Sequence, residues 1–228
     1  MMEKPCLARF GNLDAIKVPN ADTNALTVIC LHGYGADMRD LAPLAEELET
    51  KRPIAWLFPN APEVLDMGGR AWFPIDEAAF EEARRTGTAR DLSLREPPGL
   101  EWAREELQRF IKGLNIPWKN IVLMGFSQGA MLAVDLALRA ESPPAGVVIL
   151  SGTLVDKVKT AELAPGKNGL PFFQSHGSVD TILGFAQARA LEKALIEAGW
   201  RGQLRRFEGG HAIPAETLAG LKGWLEKR

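Results

Sequence analysis

The sequence predicts an α/β fold with a mostly parallel central sheet and helices on both faces of that sheet. Two observations carry this prediction across the 228 residues. Short apolar runs with little polar alternation recur along the chain, as expected of strands that are covered on both faces. Longer segments separate them, in which apolar residues repeat at helical spacing. No internal repeat or linker divides the chain, so we predict one domain over residues 1–228.

The strands are predicted from the apolar runs and the helices from the segments between them. The predicted strands are residues 26–31, 54–58, 121–125, 147–151, 170–175 and 203–207, with one additional strand between residues 8 and 18. The predicted helices are residues 103–114, 130–140, 185–198 and 214–225. Gly199 is well placed to close the third of these helices, and Pro214 to open the last.

The composition excludes several classes of protein. With 46% hydrophobic and 25% charged residues the chain matches an average globular protein, and a formal net charge of −2 offers no basic excess for nucleic acid. Its apolar runs are far shorter than the roughly 18 residues that cross a bilayer. The N-terminus has no apolar signal-peptide core, so stable membrane insertion is not expected. The two cysteines, Cys6 and Cys30, indicate a reducing compartment, and we expect a cytoplasmic protein.

Residues 74–99 interrupt the alternation of strands and helices. Ten of these 26 residues are charged, no long apolar stripe runs through them, and Pro97, Pro98 and Gly99 close the segment. We expect a charged insertion at the surface. It is either a solvated loop with a helix or a movable flap over a pocket.

Ser127 lies in a Gly-x-Ser-x-Gly sequence between a predicted strand and a predicted helix. This context is typical of a serine held on a sharp, strained turn, where the small glycines let the backbone pass closely on either side. The start of the following helix favours negative charge. The pattern therefore predicts a nucleophilic serine at the carboxyl end of the sheet.

A serine nucleophile needs a base and an acid that orients the base. Of the three histidines, His211 lies in a glycine-rich loop between the last strand and the last helix, so we predict that it is the base. Asp180, after the strand predicted at 170–175, gives the order Ser, Asp, His that α/β-hydrolases use. Asp156, which follows the preceding strand, is the alternative acid.

Acyl transfer also needs backbone donors for the developing oxyanion. One is expected to be the N–H of Gln128, directly after Ser127. The other is expected from the turn after the first buried strand, and Tyr34 within His-Gly-Tyr-Gly is the candidate. The alternative is that these glycines only turn the chain.

Five short strings, taken together, resemble a known family. They are LHGYGAD at 31–37, WFPI at 72–75, GFSQGA at 125–130, HGSVD at 176–180 and GH at 210–211. From about residue 24 to the C-terminus the chain resembles the phospholipase/carboxylesterase family, which includes bacterial carboxylesterases and acyl-protein thioesterases. The resemblance implies the α/β-hydrolase fold, a catalytic triad of Ser127, Asp180 and His211, and an oxyanion hole built from the amides of Tyr34 and Gln128.

The resemblance also implies an acyl pocket near Trp72, Phe73, Ile182 and Leu183, with ordinary core packing as the alternative for each. The chain departs from the family in having Tyr34 where many members have Leu. Pro74 stands where the thioesterase branch usually has Asp, and Asp180 is followed by Thr-Ile-Leu-Gly rather than a Val-Val-Pro type of sequence. These departures, and the length of residues 74–99, favour the bacterial carboxylesterase branch.

The expected function is that of a serine carboxylesterase acting on short- to medium-chain acyl esters through an acyl-enzyme intermediate. A lysophospholipase or an acyl-protein thioesterase is the alternative, and a non-catalytic ligand-binding relative is a remote one. No metal or cofactor is expected, because the scattered histidines and cysteines have no ligand spacing. The expected partner is a small acyl ester rather than nucleic acid, and a homodimer is left open.

Overall fold

The computed structural model of the chain describes residues 4–66, 68–88 and 91–228. Residues 89 and 90 of the predicted insertion lie outside the described residues, as do residues 1–3 of the N-terminal segment considered for a signal peptide. The strands are β1 (Cys6–Phe10), β2 (Leu13–Val18), β3 (Leu26–Leu31), β4 (Ile54–Pro59), β5 (Glu63–Val64), β6 (Arg70–Ala71), β7 (Ile121–Phe126), β8 (Gly146–Leu150), β9 (Phe172–Gly177) and β10 (Leu204–Phe207). The α-helices are α1 (Leu44–Glu47), α2 (Glu77–Thr86), α3 (Leu100–Leu114), α4 (Gln128–Arg139), α5 (Lys157–Leu163), α6 (Phe185–Glu197) and α7 (Ala215–Leu225).

Eight of these strands form the central sheet in the order β1-β2-β4-β3-β7-β8-β9-β10. All pairings from β4 to β10 along this order are parallel, whereas β2 is antiparallel to both of its neighbours. Strands β5 and β6 form a separate antiparallel pair. The architecture is that of the α/β-hydrolase fold, so the predicted mostly parallel sheet is confirmed.

Both faces of the sheet are covered by helices, as predicted. In β3, Ile29 and Leu31 pack on one face with the apolar sides of α3, α4 and α6. Val28 and Cys30 of the same strand point to the other face, where they belong to a cluster with α1 and α7. Because successive side chains of a strand alternate between its faces, a strand covered on both sides has to be apolar throughout.

Two details of the secondary structure differ from the expectations, and a third agrees with them. The single strand expected between residues 8 and 18 is a hairpin of β1 and β2, because Gly11 turns the chain with a φ of +56°. Helices α1, α2 and α5 were not predicted from the apolar spacing. The predicted end of α6 is confirmed, since Gly199 has a φ of +84° and the Trp200 N–H donates to the Leu195 carbonyl at 2.9 Å.

The charged segment at 74–99 contains helix α2. Asp76 caps its start by accepting the Ala79 N–H at 3.0 Å, and Gly87 ends it with a φ of +68°. Among the described helices, none has the length and apolar character that a bilayer-spanning segment requires. The assignment of residues 1–228 to one domain stays a prediction.

Candidate active site

Ser127 occupies a sharp corner between β7 and α4. Its backbone has a φ of +54° and a ψ of −116°, which a non-glycine residue rarely adopts and which costs about 1–3 kcal/mol. Its N–H donates to the Leu150 carbonyl at 2.9 Å, which fixes the corner to β8. A Cβ on Gly125 would lie 2.2 Å from the Gly129 carbonyl carbon, and one on Gly129 would lie 2.2 Å from the Leu31 oxygen. Gly125 is therefore required for the close approach of β7 to the start of α4, and Gly129 for the close approach of α4 to the end of β3.

Asp180 and His211 are joined by a hydrogen bond. His211 Nδ1 lies 2.7 Å from Asp180 Oδ2, while Asp180 Oδ1 accepts the N–H groups of Ile182 at 2.9 Å and Leu183 at 3.0 Å. An ionised carboxylate only accepts hydrogen bonds, so the His211 proton is on Nδ1 and its Nε2 carries a lone pair. The imidazole thus has the orientation and tautomer that a general base requires.

The environment of Asp180 keeps its carboxyl group ionised. Burial by itself would raise the pKa of this carboxyl, but hydrogen bonds from His176 and His211 and from the Leu183 N–H outweigh it. The pKa of Asp180 is therefore held well below its usual range. A carboxylate at this position stabilises positive charge on the neighbouring imidazole at neutral pH.

The loop that carries His211 is held against the corner of Ser127. The His211 ring packs on the ring of Phe126, with 4.8 Å between the ring centroids. Ser151 Oγ donates to the Ala212 carbonyl at 3.2 Å, which ties the loop to the end of β8. The imidazole therefore lies next to the residue that immediately precedes Ser127.

Asp156, the alternative acid, has a different task. Its Oδ1 accepts the Lys159 N–H at 3.1 Å and so caps the N-terminus of α5. His211 makes its carboxylate hydrogen bond with Asp180 instead. The geometry thus favours Asp180 as the partner of the predicted base.

The two predicted oxyanion donors border Ser127. Gln128 is the first residue of α4, and a backbone N–H at this position has no acceptor within the helix. The turn that holds Tyr34 passes close to the same corner, since a Cβ on Gly33 would lie 3.5 Å from Ser127 Cβ. The N–H of Gly35, next along this turn, donates to the Arg70 carbonyl at 2.9 Å, so the turn is also fixed to β6.

His32 is buried and shapes this turn. The Ala61 N–H donates to His32 Nε2 at 3.1 Å, so the proton of the ring is on Nδ1, which donates to the Gly33 carbonyl at 2.8 Å. Burial lowers the pKa of His32 and keeps the ring neutral. Both ring nitrogens of His32 are thus engaged in structural hydrogen bonds, which leaves His211 as the better candidate for the base.

The side chain of Gln128 joins the corner to the segment that follows β6. Its Oε1 accepts the Trp72 N–H at 2.9 Å, and its Nε2 donates to the Phe73 carbonyl at 2.7 Å. Tyr34 makes a second link to the same region, since its hydroxyl donates to Glu77 Oε1 of α2 at 3.2 Å. Partial burial and this hydrogen bond raise the pKa of the Tyr34 hydroxyl.

A cavity of about 620 Å³ opens beside Ser127. Phe73, Ile182 and Leu183 line it, and their role in binding an acyl group stays a prediction. Trp72 is not a lining residue: its side chain is fully buried in the core, and its indole N–H donates to the His32 carbonyl at 2.9 Å. Trp72 therefore supports the wall of the cavity from behind.

Residues 74–99 supply much of the cavity wall, which is not what a fully solvated loop would do. Their apolar side chains at the cavity are Pro74, Ile75, Ala79, Phe80, Leu92, Leu94, Pro97 and Pro98. Met131 of α4 also contributes, and neither its role nor most of these contacts was expected from the sequence. The segment thus covers a pocket, while its movement as a flap stays a prediction.

The segment is attached to the core at its C-terminal end by four alternating charges. Glu96 accepts from Arg104 of α3 at 2.9 Å and from Arg139 of α4 at 3.0 Å. Both arginines also contact Asp135, at 2.5 Å and 3.0 Å respectively. Arg104 and Asp135 are buried and Glu96 and Arg139 are half-buried, so removing one partner would leave an uncompensated charge in the group. With the Gln128 contacts at residues 72 and 73, the wall is fixed at both ends.

Within the described ranges, no group of three or more His, Cys, Asp and Glu side chains has the geometry to hold a metal ion. The groups beside the cavity include the serine, the imidazole, the carboxylate and the backbone amides. These groups are suited to acyl transfer.

Comparisons with known proteins identify the family of the chain. A family model described as Phospholipase/Carboxylesterase matches residues 14–228. The chain is 26% identical to acyl-protein thioesterase 1 of Neurospora crassa, over 97% of this chain and 94% of the relative. It is 32% identical to acyl-protein thioesterase 1 of Saccharomyces cerevisiae, over 69% of this chain and 71% of the relative. The crystal structure of esterase PE8 matches with a TM-score of 0.79 at 29% identity, covering 94% of this chain and 98% of that chain.

Proposed function

The chain belongs to the phospholipase/carboxylesterase family, and from this premise we propose that it is a serine carboxylesterase acting on short- to medium-chain acyl esters. The observation that carries the proposal is the His211–Asp180 hydrogen bond of 2.7 Å beside the strained corner of Ser127. An apolar cavity at the same corner offers space for the acyl chain. The charged exterior of residues 74–99 is unlike a membrane-docking lid, which favours soluble esters over lipid aggregates.

The proposed reaction uses the five groups in sequence. Ser127 Oγ attacks the ester carbonyl carbon while His211 Nε2 takes the hydroxyl proton, and Asp180 stabilises the resulting imidazolium. The tetrahedral oxyanion binds the N–H groups of Tyr34 and Gln128. Collapse of this intermediate breaks the carbon–oxygen bond to the alcohol, which leaves with the proton from His211. Water then attacks the acyl-enzyme and gives a proton to His211. His211 passes this proton to Ser127 Oγ as the bond between Oγ and the acyl carbon breaks, which releases the carboxylic acid and regenerates the serine.

Acyl-protein thioesterase is the second candidate, since two relatives with that name match most of this chain. The same triad would attack a thioester carbonyl, so the site geometry suits both activities. The carboxylesterase is preferred because Pro74 replaces the Asp usual in the thioesterase branch and because esterase PE8 also matches over nearly its whole length. A non-catalytic relative is disfavoured, since each predicted triad position has a residue capable of its role.

The test is a series of p-nitrophenyl esters from acetate to palmitate, together with a thioester of matched chain length. Ser127→Ala is expected to fold and to lower turnover by at least ~10³, because no other group supplies the nucleophile. Ser178→Ala is the matched control, since this serine near the same sheet edge bonds Glu208 instead. Turnover by Ser127→Ala equal to that of the control would contradict the proposal. A Ser127-dependent preference for the thioester would favour the second candidate.

The location and the assembly of the chain are further proposals. Cys6 and Cys30 are free, and we propose a cytoplasmic location on the basis of this thiol state. The expected partner is a small acyl ester. Binding to nucleic acid and stable insertion into a membrane are not expected. Sedimentation of the purified protein tests whether two chains form a homodimer.

A further inference from the structure

His176 is a second histidine on the carboxylate of Asp180. It lies at the end of β9 and has no exposed surface. Its Nε2 is 2.6 Å from the Leu183 carbonyl oxygen and 3.2 Å from Asp180 Oδ2. His211 Nδ1 reaches the same Oδ2 at 2.7 Å. Two imidazole rings thus share one carboxylate oxygen.

The contacts of His176 determine where its proton is. Both atoms that Nε2 faces are acceptors, so the proton is on Nε2. It is donated to the Leu183 carbonyl at 2.6 Å, and Asp180 Oδ2 lies beside it at the longer distance of 3.2 Å. Nδ1 is buried without a hydrogen-bond partner in the part of the chain that the structure describes. A lone pair at Nδ1 is less costly there than an unsatisfied N–H, which agrees with Nε2 as the donating nitrogen. His176 therefore presents a fixed N–H at the carboxylate of Asp180.

The donors around Asp180 come from three elements. His176 approaches from β9, His211 from the loop before α7, and the N–H groups of Ile182 and Leu183 from the loop that follows Asp180. With Oδ1 held by the two backbone groups, the bond from His176 to Oδ2 opposes rotation of the carboxylate. Since His176 also bonds the Leu183 carbonyl, one ring fixes both the acid and its loop.

We propose that His176 is a positioning residue that divides the charge of Asp180 Oδ2 between two imidazoles and so sets the strength of the Asp180–His211 bond. The inference rests on the proposed function, in which Asp180 stabilises the His211 imidazolium. Without the His176 donor, the charge on Oδ2 acts on His211 alone and stabilises its protonated form before substrate binds. The acidic limb of the kcat/KM profile then moves to higher pH, and the less firmly held carboxylate lowers kcat.

The experiment compares two substitutions of His176 in the intact protein. His176→Leu removes the donor, whereas His176→Gln keeps an N–H near the position of Nε2. Ser175→Ala is the matched control, because this neighbour in β9 is equally buried and its hydroxyl has no hydrogen-bond partner among the described residues. kcat, KM and the pH profile are measured with a short p-nitrophenyl ester, per active site titrated by the acyl-enzyme burst.

The expected result for His176→Leu is a loss of about ten-fold to one hundred-fold in kcat, as for removal of a hydrogen bond to a charged group. KM is expected to change less, and the acidic limb is expected at higher pH. His176→Gln restores the position of the limb and most of kcat, and Ser175→Ala changes neither. The proposal would be overturned if both His176 variants lost stability but kept the wild-type kcat per active site and the wild-type position of the acidic limb.

Two further measurements cover the remaining outcomes. If His176→Leu does not fold, His176→Asn takes its place, since its shorter amide does not reach Oδ2; equal pH profiles for the Asn and Gln variants would overturn the proposal. The far-downfield proton resonance of the His211 Nδ1–H needs no turnover. Its chemical shift is expected to change in the His176→Leu or His176→Asn variant and to stay at the wild-type value in Ser175→Ala. This signal tests the role of His176 even if the Ser127→Ala assay contradicts the proposed esterase activity. Failure of the His176 proposal and failure of the proposed function are therefore distinguishable.

Discussion

Replacing Gln128 removes two buried hydrogen bonds while its backbone N–H stays at the start of α4. The side chain accepts from the Trp72 N–H at 2.9 Å and donates to the Phe73 carbonyl at 2.7 Å. Two substitutions separate the contributions: Gln128→Met keeps the length of the side chain without its polar atoms, and Gln128→Ala also leaves a cavity.

The expected loss follows from the two backbone groups left without partners. Each buried unsatisfied group costs about 1–3 kcal/mol, so Gln128→Met is expected to lower the free energy of unfolding by about 2–6 kcal/mol. For a chain of this length, 1 kcal/mol corresponds to roughly 2–4 °C in Tm, so a loss of at least about 4 °C is expected. Gln128→Ala is expected to lose more, because a cavity adds to the cost.

Urea unfolding gives the free energies, and Gln108→Ala is the control because this exposed glutamine of α3 is expected to change stability by at most about 0.5 kcal/mol. kcat/KM for a medium-chain ester is measured alongside and is expected to fall, since Phe73 lines the cavity. A Gln128→Met protein as stable as the Gln108→Ala protein would refute the assignment of these two bonds as anchors of the cavity wall.

Four more outcomes are expected. Asp180→Asn is expected to lower ester turnover far more than Asp156→Asn. Equal losses in steady-state assays would contradict the assignment of Asp180 and restore Asp156 as a candidate acid. Because the folded-state pKa of Asp180 lies below its ordinary value of 3.8, its stabilising contribution is present above that pH and lost below it. Urea titrations at several acidic pH values should thus show a weaker pH dependence for Asp180→Asn. Gly129→Ala is expected to unfold or to lose over ~4 kcal/mol, since its Cβ would overlap backbone, whereas Gly166→Ala has open space; similar melting curves would contradict this. Phe80→Ala enlarges the cavity and is expected to shift the ester-series optimum toward longer chains, and an unchanged optimum would show that α2 does not limit the acyl chain.

The sequence was most informative where local pattern decides structure. The apolar runs predicted the six parallel strands β3, β4, β7, β8, β9 and β10 to within two residues at either end, because a strand buried on both faces has no polar alternation. The corner of Ser127 was predictable for a similar reason: the two glycines and the strand before them leave few other conformations. Asp180 and Asp156 both give the order Ser, Asp, His, so the sequence kept Asp156 as an alternative to the predicted Asp180, and the bond to His211 now favours Asp180 on geometric grounds.

Other features depend on contacts between distant parts of the chain. Helix α2 has no long apolar stripe, so its spacing gave no signal, and its role as a cavity wall follows from what it packs against. Trp72 and Phe73 are neighbours in sequence and both are buried in the same core cluster, yet only Phe73 also lines the cavity. The hydrogen bond from His176 to Asp180 requires the loop at 180–183 to fold back, which spacing alone does not reveal.

The attachment of the cavity wall at both ends has an evolutionary consequence. Gln128 holds the chain at Trp72 and Phe73, and the four charges around Glu96 hold it again where α3 begins. Between these two anchors most side chains of α2 face solvent, so substitutions there change few buried contacts. Surface segments with fixed ends tolerate changes in length at small cost. Selection can therefore exchange this stretch as a unit and alter which acyl groups fit, while the nucleophile, its base and the sheet beneath them are inherited unchanged.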